Sequence, residues 1–386
     1  MPYEKADKQI LKRYRNLRLG ILVVILLLVT GAGVAHQMMT SGALLGVDAL
    51  CPFGAIEAAY TLAVTGVFIK KIALSSFILF AAVLIAALIF RRAFCGLLCP
   101  LGTLQELVFD LGAKISKKRP NISNSLDKPA RYIKYILLLV IIIGSAATGE
   151  LIMRPYDPWA AYQHISSGSV LSELPIGFGI LTATLLLSFL FSRVFCKYLC
   201  PMGALLGLIH RIGRFRIERN TETCINCKLC SRECPMGLPV AEVVTVDSAE
   251  CINCGQCTTV CPVKDTLYTA DRKGKPVSST AILGAVLAVF IVILGVTTAT
   301  GDFQWTQKTL EQQVEKTGQF DPSTITGKMT LDEVSRVSGI PKEAFKERFK
   351  LQDGDFTIPL KDLGPPKGFE TSDVRTFVAE YLAKPQ

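Results

Sequence analysis

Five long apolar runs are separated by polar connections of alternating character. The runs lie at about Leu19 to Met38, Ile72 to Phe90, Ile133 to Gly149, Ile176 to Phe191 and Ser279 to Thr300. A helix needs roughly 20 apolar residues to cross a bilayer, so these runs predict about five spans. Six Lys and Arg precede the first run, nine lie between Arg91 and Lys134, and twelve between Arg193 and Lys275. The two other connections hold only Lys70, Lys71 and Arg154. Basic residues on every second loop are the positive-inside pattern. It predicts a cytoplasmic N-terminus, cytoplasmic loops at 91–134 and 193–275, and a C-terminal segment outside. The basic start, apolar run and small residues Gly31–Ala35 also match a cleaved signal peptide. The reading adopted is an uncleaved first span in the inner membrane.

Half of the 386 residues are hydrophobic, too many for an ordinary soluble protein. The net charge of +10 would suit nucleic acid, but its distribution follows the membrane sides instead. Lipid is therefore the expected neighbour, and no nucleic-acid partner is expected.

The membrane part repeats itself. Residues Phe90 to Leu104 (FRRAFCGLLCPLGTL) align without gaps on Phe191 to Leu205 (FSRVFCKYLCPMGAL). Upstream, Cys51 to Tyr60 pairs more loosely with Arg154 to Tyr162. Two units of one orientation predict a pseudo-two-fold axis along the membrane normal. That axis would bring the two Cys-x-x-x-Cys-Pro motifs face to face.

Twelve of the thirteen cysteines fall in four tight clusters. Two are Cys224-x-x-Cys227-x-x-Cys230-x-x-x-Cys234-Pro and Cys251-x-x-Cys254-x-x-Cys257-x-x-x-Cys261-Pro. This is the spacing of bacterial two-[4Fe–4S] ferredoxins, where each run gives three thiolates to one cluster and its fourth to the other. Cluster one is assigned to Cys224, Cys227, Cys230 and Cys261, and cluster two to Cys251, Cys254, Cys257 and Cys234. A pair of structural zinc sites is the bland alternative. The segment is too small to hold much core of its own, so its clusters should hold it together.

The membrane pairs Cys95/Cys99 and Cys196/Cys200 form a candidate redox site. Spacing i, i+4 puts each pair on one helix face, and Pro100 and Pro201 should bend or end the helix after the second Cys. The four thiols could hold one shared further iron–sulfur cluster, act as a dithiol/disulfide relay, or only dock the ferredoxin segment. Thiols packed as small hydrophobes are the bland reading.

The remaining polar candidates are weaker. His36, His164 and His210 are not placed to hold a haem between spans. His36 reads as an interfacial residue, with quinone binding as the sharper alternative. Asp48, Glu57 and Asp157 read as solvated loop charges, or as acceptors of quinol protons. Cys51 has Arg154 as its repeat counterpart and reads as a buried free thiol. No motif suggests a hydride, acyl or phosphoryl site, so no catalytic residue is assigned.

The fold expected is mainly α: a polytopic membrane helix bundle with internal duplication, an inserted two-cluster ferredoxin domain and a small C-terminal helical domain. The divisions are 1–215 (four spans and both motifs), 216–275 (ferredoxin), 276–300 (fifth span) and 301–386 (tail). In the tail, Thr330-Leu-Asp-Glu333 resembles a capping box and Gly339-Ile-Pro341 a helix stop, with 371–382 a second amphipathic stretch and a duplicated helix–turn unit in view.

Two Cys-x-x-x-Cys-Pro motifs on spans, followed by tandem ferredoxin runs, resemble the NapH/NosR/MauN-type membrane polyferredoxin family over roughly residues 15 to 300. Cys51-Pro-Phe-Gly-Ala-Ile-Glu57 also looks like a family element. The resemblance implies membrane-bound electron transfer between the quinone pool and a dedicated redox enzyme, or support for assembly of that enzyme. The fifth span and the tail go beyond short NapH-like members. Two functions follow as expectations. One is an electron-transfer subunit of an oxidoreductase complex, linking quinone or a membrane partner to cytoplasmic-side clusters. The other is an accessory or maturation protein that keeps a partner's cofactor or thiols reduced.

Overall fold

The structure is a computed structural model that describes residues 7–38, 55–56, 59, 74–115, 124–148, 152–167, 170–303, 305, 320, 322, 325, 327 and 329–383. Helices stand at all five apolar runs: α1 (Lys8–Met38), α2 (Leu74–Phe90), then α5 (Ile133–Thr148), α7 (Pro175–Ser188) and α10 (Ser279–Ala299). Stretches of 25, 24 and 21 residues at 11–35, 125–148 and 279–299 are long and apolar enough to cross a membrane. The helices at 74–90 and 175–188 are apolar but shorter. Large hydrophobic side chains exposed along the five helices include Leu28, Leu139, Leu186 and Ile291. An apolar exterior of this kind is what lipid requires.

Between these helices lie α3 (Ala93–Leu97), α4 (Pro100–Ile115), α6 (Pro158–His164), α8 (Val194–Tyr198) and α9 (Pro201–Ile209). Helices α3 and α8 carry the first Cys of each motif. The expected continuous i, i+4 face is not formed: α3 ends at Leu97 and α8 at Tyr198, before the second Cys. A residue preceding Pro is disfavoured in the helical region, while Pro is favoured as the first residue of a helix. Cys99 and Cys200 therefore sit in the break, and Pro100 and Pro201 open α4 and α9.

The ferredoxin segment is a four-stranded antiparallel sheet, β1 (Arg216–Arg219), β2 (Thr245–Val246), β3 (Leu267–Ala270) and β4 (Pro276–Val277), in the order β2-β1-β3-β4. Ile217 pairs with Val246 on one side and Thr269 on the other. Its core is not separate. Ile217, Met236, Leu238, Val240, Ile252 and Leu267 belong to one buried cluster with Val83, Ala87, Met202 and Leu206 of the membrane helices. A segment too small for a core of its own is completed by the bundle.

The tail holds α11 (Leu331–Ser338), α12 (Lys342–Phe349), α13 (Leu360–Lys367) and α14 (Thr371–Ala383) around its own core. The Thr330 side chain accepts from the Glu333 amide at 3.3 Å, and Gly339 ends α11 with φ +73°. The duplication is present at a constant offset. Leu331, Val334, Gly339, Ile340 and Phe345 correspond to Leu360, Leu363, Gly368, Phe369 and Val374; the apolar members are buried, and both glycines have positive φ. Phe345 is buried against Phe377. Phe345→Ala is expected to cost the tail about 3–5 kcal/mol. Hydrogen exchange on the full chain should show lost protection in α11 to α14 and unchanged protection in 216–275.

Candidate functional site

The two ferredoxin runs fold alike. Each Cys-Ile-Asn-Cys turn places its Asn, Asn226 or Asn253, at positive φ, and so does the residue after the second Cys, Lys228 or Gly255. Asn tolerates this conformation better than most residues. Successive turns of this kind aim backbone N–H groups inward, which suits an anionic group. The Asn226 amide reaches the Cys224 thiol and the Asn253 amide reaches the Cys251 thiol.

These turns build two cavities of similar size, about 360 and 350 Å³ with open solvent included. Cys224, Cys227, Cys230 and Cys261 line the first. Cys234, Cys251, Cys254 and Cys257 line the second. Among the described residues, no three His, Cys, Asp or Glu side chains converge tightly enough for a single metal ion. Thiols at the corners of a cubane stand farther apart than the ligands of one zinc, so the spread fits a polynuclear cluster. The donor set, eight thiols with inward amides, fits two [4Fe–4S] groups.

The two cavities differ in setting. Cys227 is exposed, as is Ile225 beside it, so the first cavity opens to solvent. Burial raises the Cys224 thiol, but a hydrogen bond with Arg219 outweighs it and holds the group below the ordinary cysteine value. The thiols of the second cavity are more deeply set, with Cys254 and Cys257 buried. There burial pushes Cys251 up to about 12 and Cys257 well above its ordinary value. Thiols so placed stay protonated unless a bound cation makes them thiolates.

The second cavity faces the membrane motifs. A Cβ on Gly96 would stand 2.5 Å from the Ile252 carbonyl and 2.9 Å from the Cys254 Cβ, so only glycine allows this approach. Lys197, the repeat counterpart of Gly96, lies near Gly237 and interacts electrostatically with Cys234. Further bonds fix the junction: Tyr14 Oη donates to the Cys254 carbonyl at 2.9 Å, Asn253 to the Phe90 carbonyl at 3.3 Å, and Arg131 to the Met236 carbonyl at 2.7 Å.

The four membrane thiols come together. Each of Cys95, Cys99, Cys196 and Cys200 interacts electrostatically with the other three. Gln105 donates to Cys196 Sγ at 3.4 Å, and the Gly203 amide donates to Cys200 Sγ at 3.3 Å. Around them the repeat is reciprocal. Arg193 of the second unit lies over Gly102 of the first, and its counterpart Arg92 lies over Gly203. Arg193 donates to the Cys95 carbonyl at 2.7 Å and pairs with Glu106 at 2.6 Å; Glu106 also pairs with Arg18 at 2.8 Å. Arg92 pairs with Glu250 at 3.3 Å, and Glu250 pairs with Lys134. All these side chains are buried.

The sequence reading missed this network. Arg92/Arg193 and Gly102/Gly203 do recur in the aligned repeat, and charges at span ends mark functional positions; that was the available signal. Of the remaining polar candidates, Asp157 and His210 are buried and others lie outside the described residues. Asp157 is not solvated: it is 3% exposed and caps α6 by accepting from the Trp159 amide at 2.9 Å. His210 is buried, bonded to the Gly207 carbonyl at 2.6 Å and the Asp247 carbonyl at 3.3 Å. Asp48, Cys51 and Glu57 lie outside the described residues, as does the His36 side chain.

Comparison with known proteins places the chain among iron–sulfur proteins. A family described as "4Fe-4S binding domain" matches residues 72–119 and again 174–220, and a "4Fe-4S dicluster domain" matches 216–262. YccM of Escherichia coli (strain K12) is 30% identical over 277 residues, which is 67% of this chain and 75% of YccM. The ferredoxin-type protein NapH of the same strain is 32% identical over 155 residues, 39% of this chain and 49% of NapH. The methylamine utilization ferredoxin-type protein MauN of Paracoccus denitrificans is 29% identical over 146 residues, 37% of this chain and 48% of MauN. The chain thus spans three quarters of YccM but about half of NapH and of MauN. No solved structure matches. With 4Fe-4S domains, membrane-length helices and these relatives, the chain belongs to the NapH/NosR/MauN-type membrane polyferredoxin family.

Proposed function

We propose that this chain is a membrane-anchored electron-transfer protein that links the quinone pool, or a membrane redox partner, to [4Fe–4S] clusters on the cytoplasmic side of the inner membrane. The observation that carries this reading is the crossed sorting of eight cysteines around two cavities, one open to solvent and one set against the membrane helices. Cys224, Cys227, Cys230 and Cys261 would hold the outer cluster, and Cys251, Cys254, Cys257 and Cys234 the inner one. Bound there, each cluster would take up and release one electron at a time.

The chain's own residues set the order. Gly96 lets the first membrane motif touch the Cys251–Cys254 turn, so the inner site is the membrane-side terminus of the segment. Cys227 and Ile225 present the outer site to a soluble partner. Tyr14, Arg131 and Asn253 hold the distance between membrane and ferredoxin parts constant. Positive-φ turns at 226 and 253 supply amides to the ligating sulfurs. The basic cytoplasmic loops fix the orientation in the bilayer. The relative YccM is named for electron transport, which accords with this role.

The test is anaerobic mixing of the purified protein with a reduced or oxidised quinone analogue, followed by visible absorption and electron paramagnetic resonance. Reduction or oxidation of both clusters is expected. Spectra unchanged by quinones and by membrane fractions would overturn the reading in favour of the accessory role.

A further inference from the structure

The membrane thiols have surroundings that packing alone does not explain. Cys95 and Cys196 are 7% and 6% exposed, and all four thiols interact mutually. Two buried salt-bridge groups flank them, Arg18–Glu106–Arg193 and Arg92–Glu250–Lys134. Each group holds two cations and one carboxylate, a net positive charge within the group, and Arg18 and Arg193 also interact with Cys254 of the inner site. Buried charges without a counter-charge are strongly unfavourable.

The orphaned nitrogens point the same way. Arg92 and Arg193 are both 0% exposed. Among the described residues, Nε of each, and Nη2 of Arg92, have no oxygen or nitrogen acceptor, and the group that Arg92 reaches is the Cys95 thiol. Both side chains nevertheless interact electrostatically with Cys95, and Arg193 also with Cys196. A buried donor left unsatisfied costs about 1–3 kcal/mol, more when charged. An anionic group among the thiols would supply both acceptors and charge. Small hydrophobic thiols would supply neither.

The second cysteines are also placed for anionic sulfur. Cys99 and Cys200 stand at the N-terminal ends of α4 and α9, helices of 16 and 9 residues. The amides of Gly102 and Gly203 face them. A helix N-terminus lowers the cost of a thiolate.

We propose that Cys95, Cys99, Cys196 and Cys200 together hold one further iron–sulfur cluster, shared across the pseudo-two-fold axis and charge-balanced by Arg92 and Arg193. Four thiolates are the ligand set of either a [2Fe–2S] or a [4Fe–4S] centre, and an oxidised centre with four thiolates carries about two negative charges. Its sign is opposite to the net positive charge of the two flanking groups. The inference rests on the proposed function for its partners. Bound there, the cluster would exchange one electron at a time with the inner ferredoxin cluster, with no bond made or broken. Arg92 and Arg193 act as positioning residues for the anion.

The experiment is iron and acid-labile sulfide counting on the anaerobically purified full chain, with redox-titrated electron paramagnetic resonance. Wild-type protein should carry more than the about eight irons of two cubanes, and Cys95→Ser/Cys196→Ser should return to about eight with both ferredoxin signals kept. A loss of two or of four irons supports the proposal and names the nuclearity. About eight irons in both proteins would overturn it and leave the proposed function standing. Absence of the ferredoxin signals from wild type would instead sink the proposed function. Should the double variant fail to accumulate, Arg92→Gln decides. It keeps the thiols but removes a positive charge, so the extra centre's potential should fall while the exposed ferredoxin cluster's stays. Arg92→Lys should restore part of the shift. No extra centre, or an unmoved potential, overturns the assignment.

Discussion

Glu106→Gln is expected to lower stability by about 3–5 kcal/mol, because it removes the one carboxylate between two buried guanidinium groups. Glu106 accepts from Arg18 at 2.8 Å, from Arg193 at 2.6 Å and from Gln256 at 2.6 Å. The three donors come from α1, the second repeat and the ferredoxin segment. One neutral amide cannot accept from all of them. The loss should therefore appear at the junction of all three parts. Thermal unfolding in detergent, followed by ferredoxin absorption and by helix content, should show both transitions moved down together. Asp353→Ala is the control, since that carboxylate is exposed where it meets Lys346. It should leave the midpoint where it is. If Glu106→Gln behaved like the control, the buried network would not be what fixes the ferredoxin segment to the membrane helices.

The second large effect separates the two proposed cluster sites. Cys257→Ser removes a proposed ligand from the second cavity, whose lining residues Ile252, Met236 and Leu238 are part of the shared core. Cys227→Ser removes a ligand from the cavity that opens to solvent. Either change should remove up to about half of the iron in the ferredoxin segment. Only Cys257→Ser should also detach the segment, because this thiol is buried in the core shared with the membrane helices. Limited proteolysis at 216–275, together with iron analysis, reads both effects. Equal proteolysis of the two variants would mean that the two sites do not differ in depth.

Much of the fold was legible because its determinants are local. Apolar length gave the five helices, and turn residues gave the tail, where Thr330 and Gly339 cap α11 as their types require. The ferredoxin runs were legible for the same reason. Cysteine spacing fixes which thiols one loop can bring together, and the structure places the same two sets around two cavities. The motif geometry was only partly legible. Spacing i, i+4 suggested a continuous helix face, but the constraint that Pro100 and Pro201 place on the preceding cysteine ends each helix two residues before it.

The reciprocal packing of Arg92 on Gly203 and Arg193 on Gly102 was not legible in the same way. It depends on how two repeat units meet, and no single segment encodes that. The partners Glu106 and Glu250 have no counterparts in the repeat, since Glu106 aligns with Gly207 and Glu250 comes from the ferredoxin segment. The core shared by Val83, Met202 and Ile217 is long-range too. Composition alone suggested a ferredoxin held by its clusters, whereas packing shows one also held by the membrane helices.

The most direct test of the account is the reduced electron paramagnetic resonance spectrum of the purified chain, recorded with metal analysis. The account predicts iron and sulfide without zinc. It also predicts two [4Fe–4S] signals that split each other on full reduction, as neighbouring clusters in one small domain must. Zinc in place of iron, or a single uncoupled signal, would contradict it.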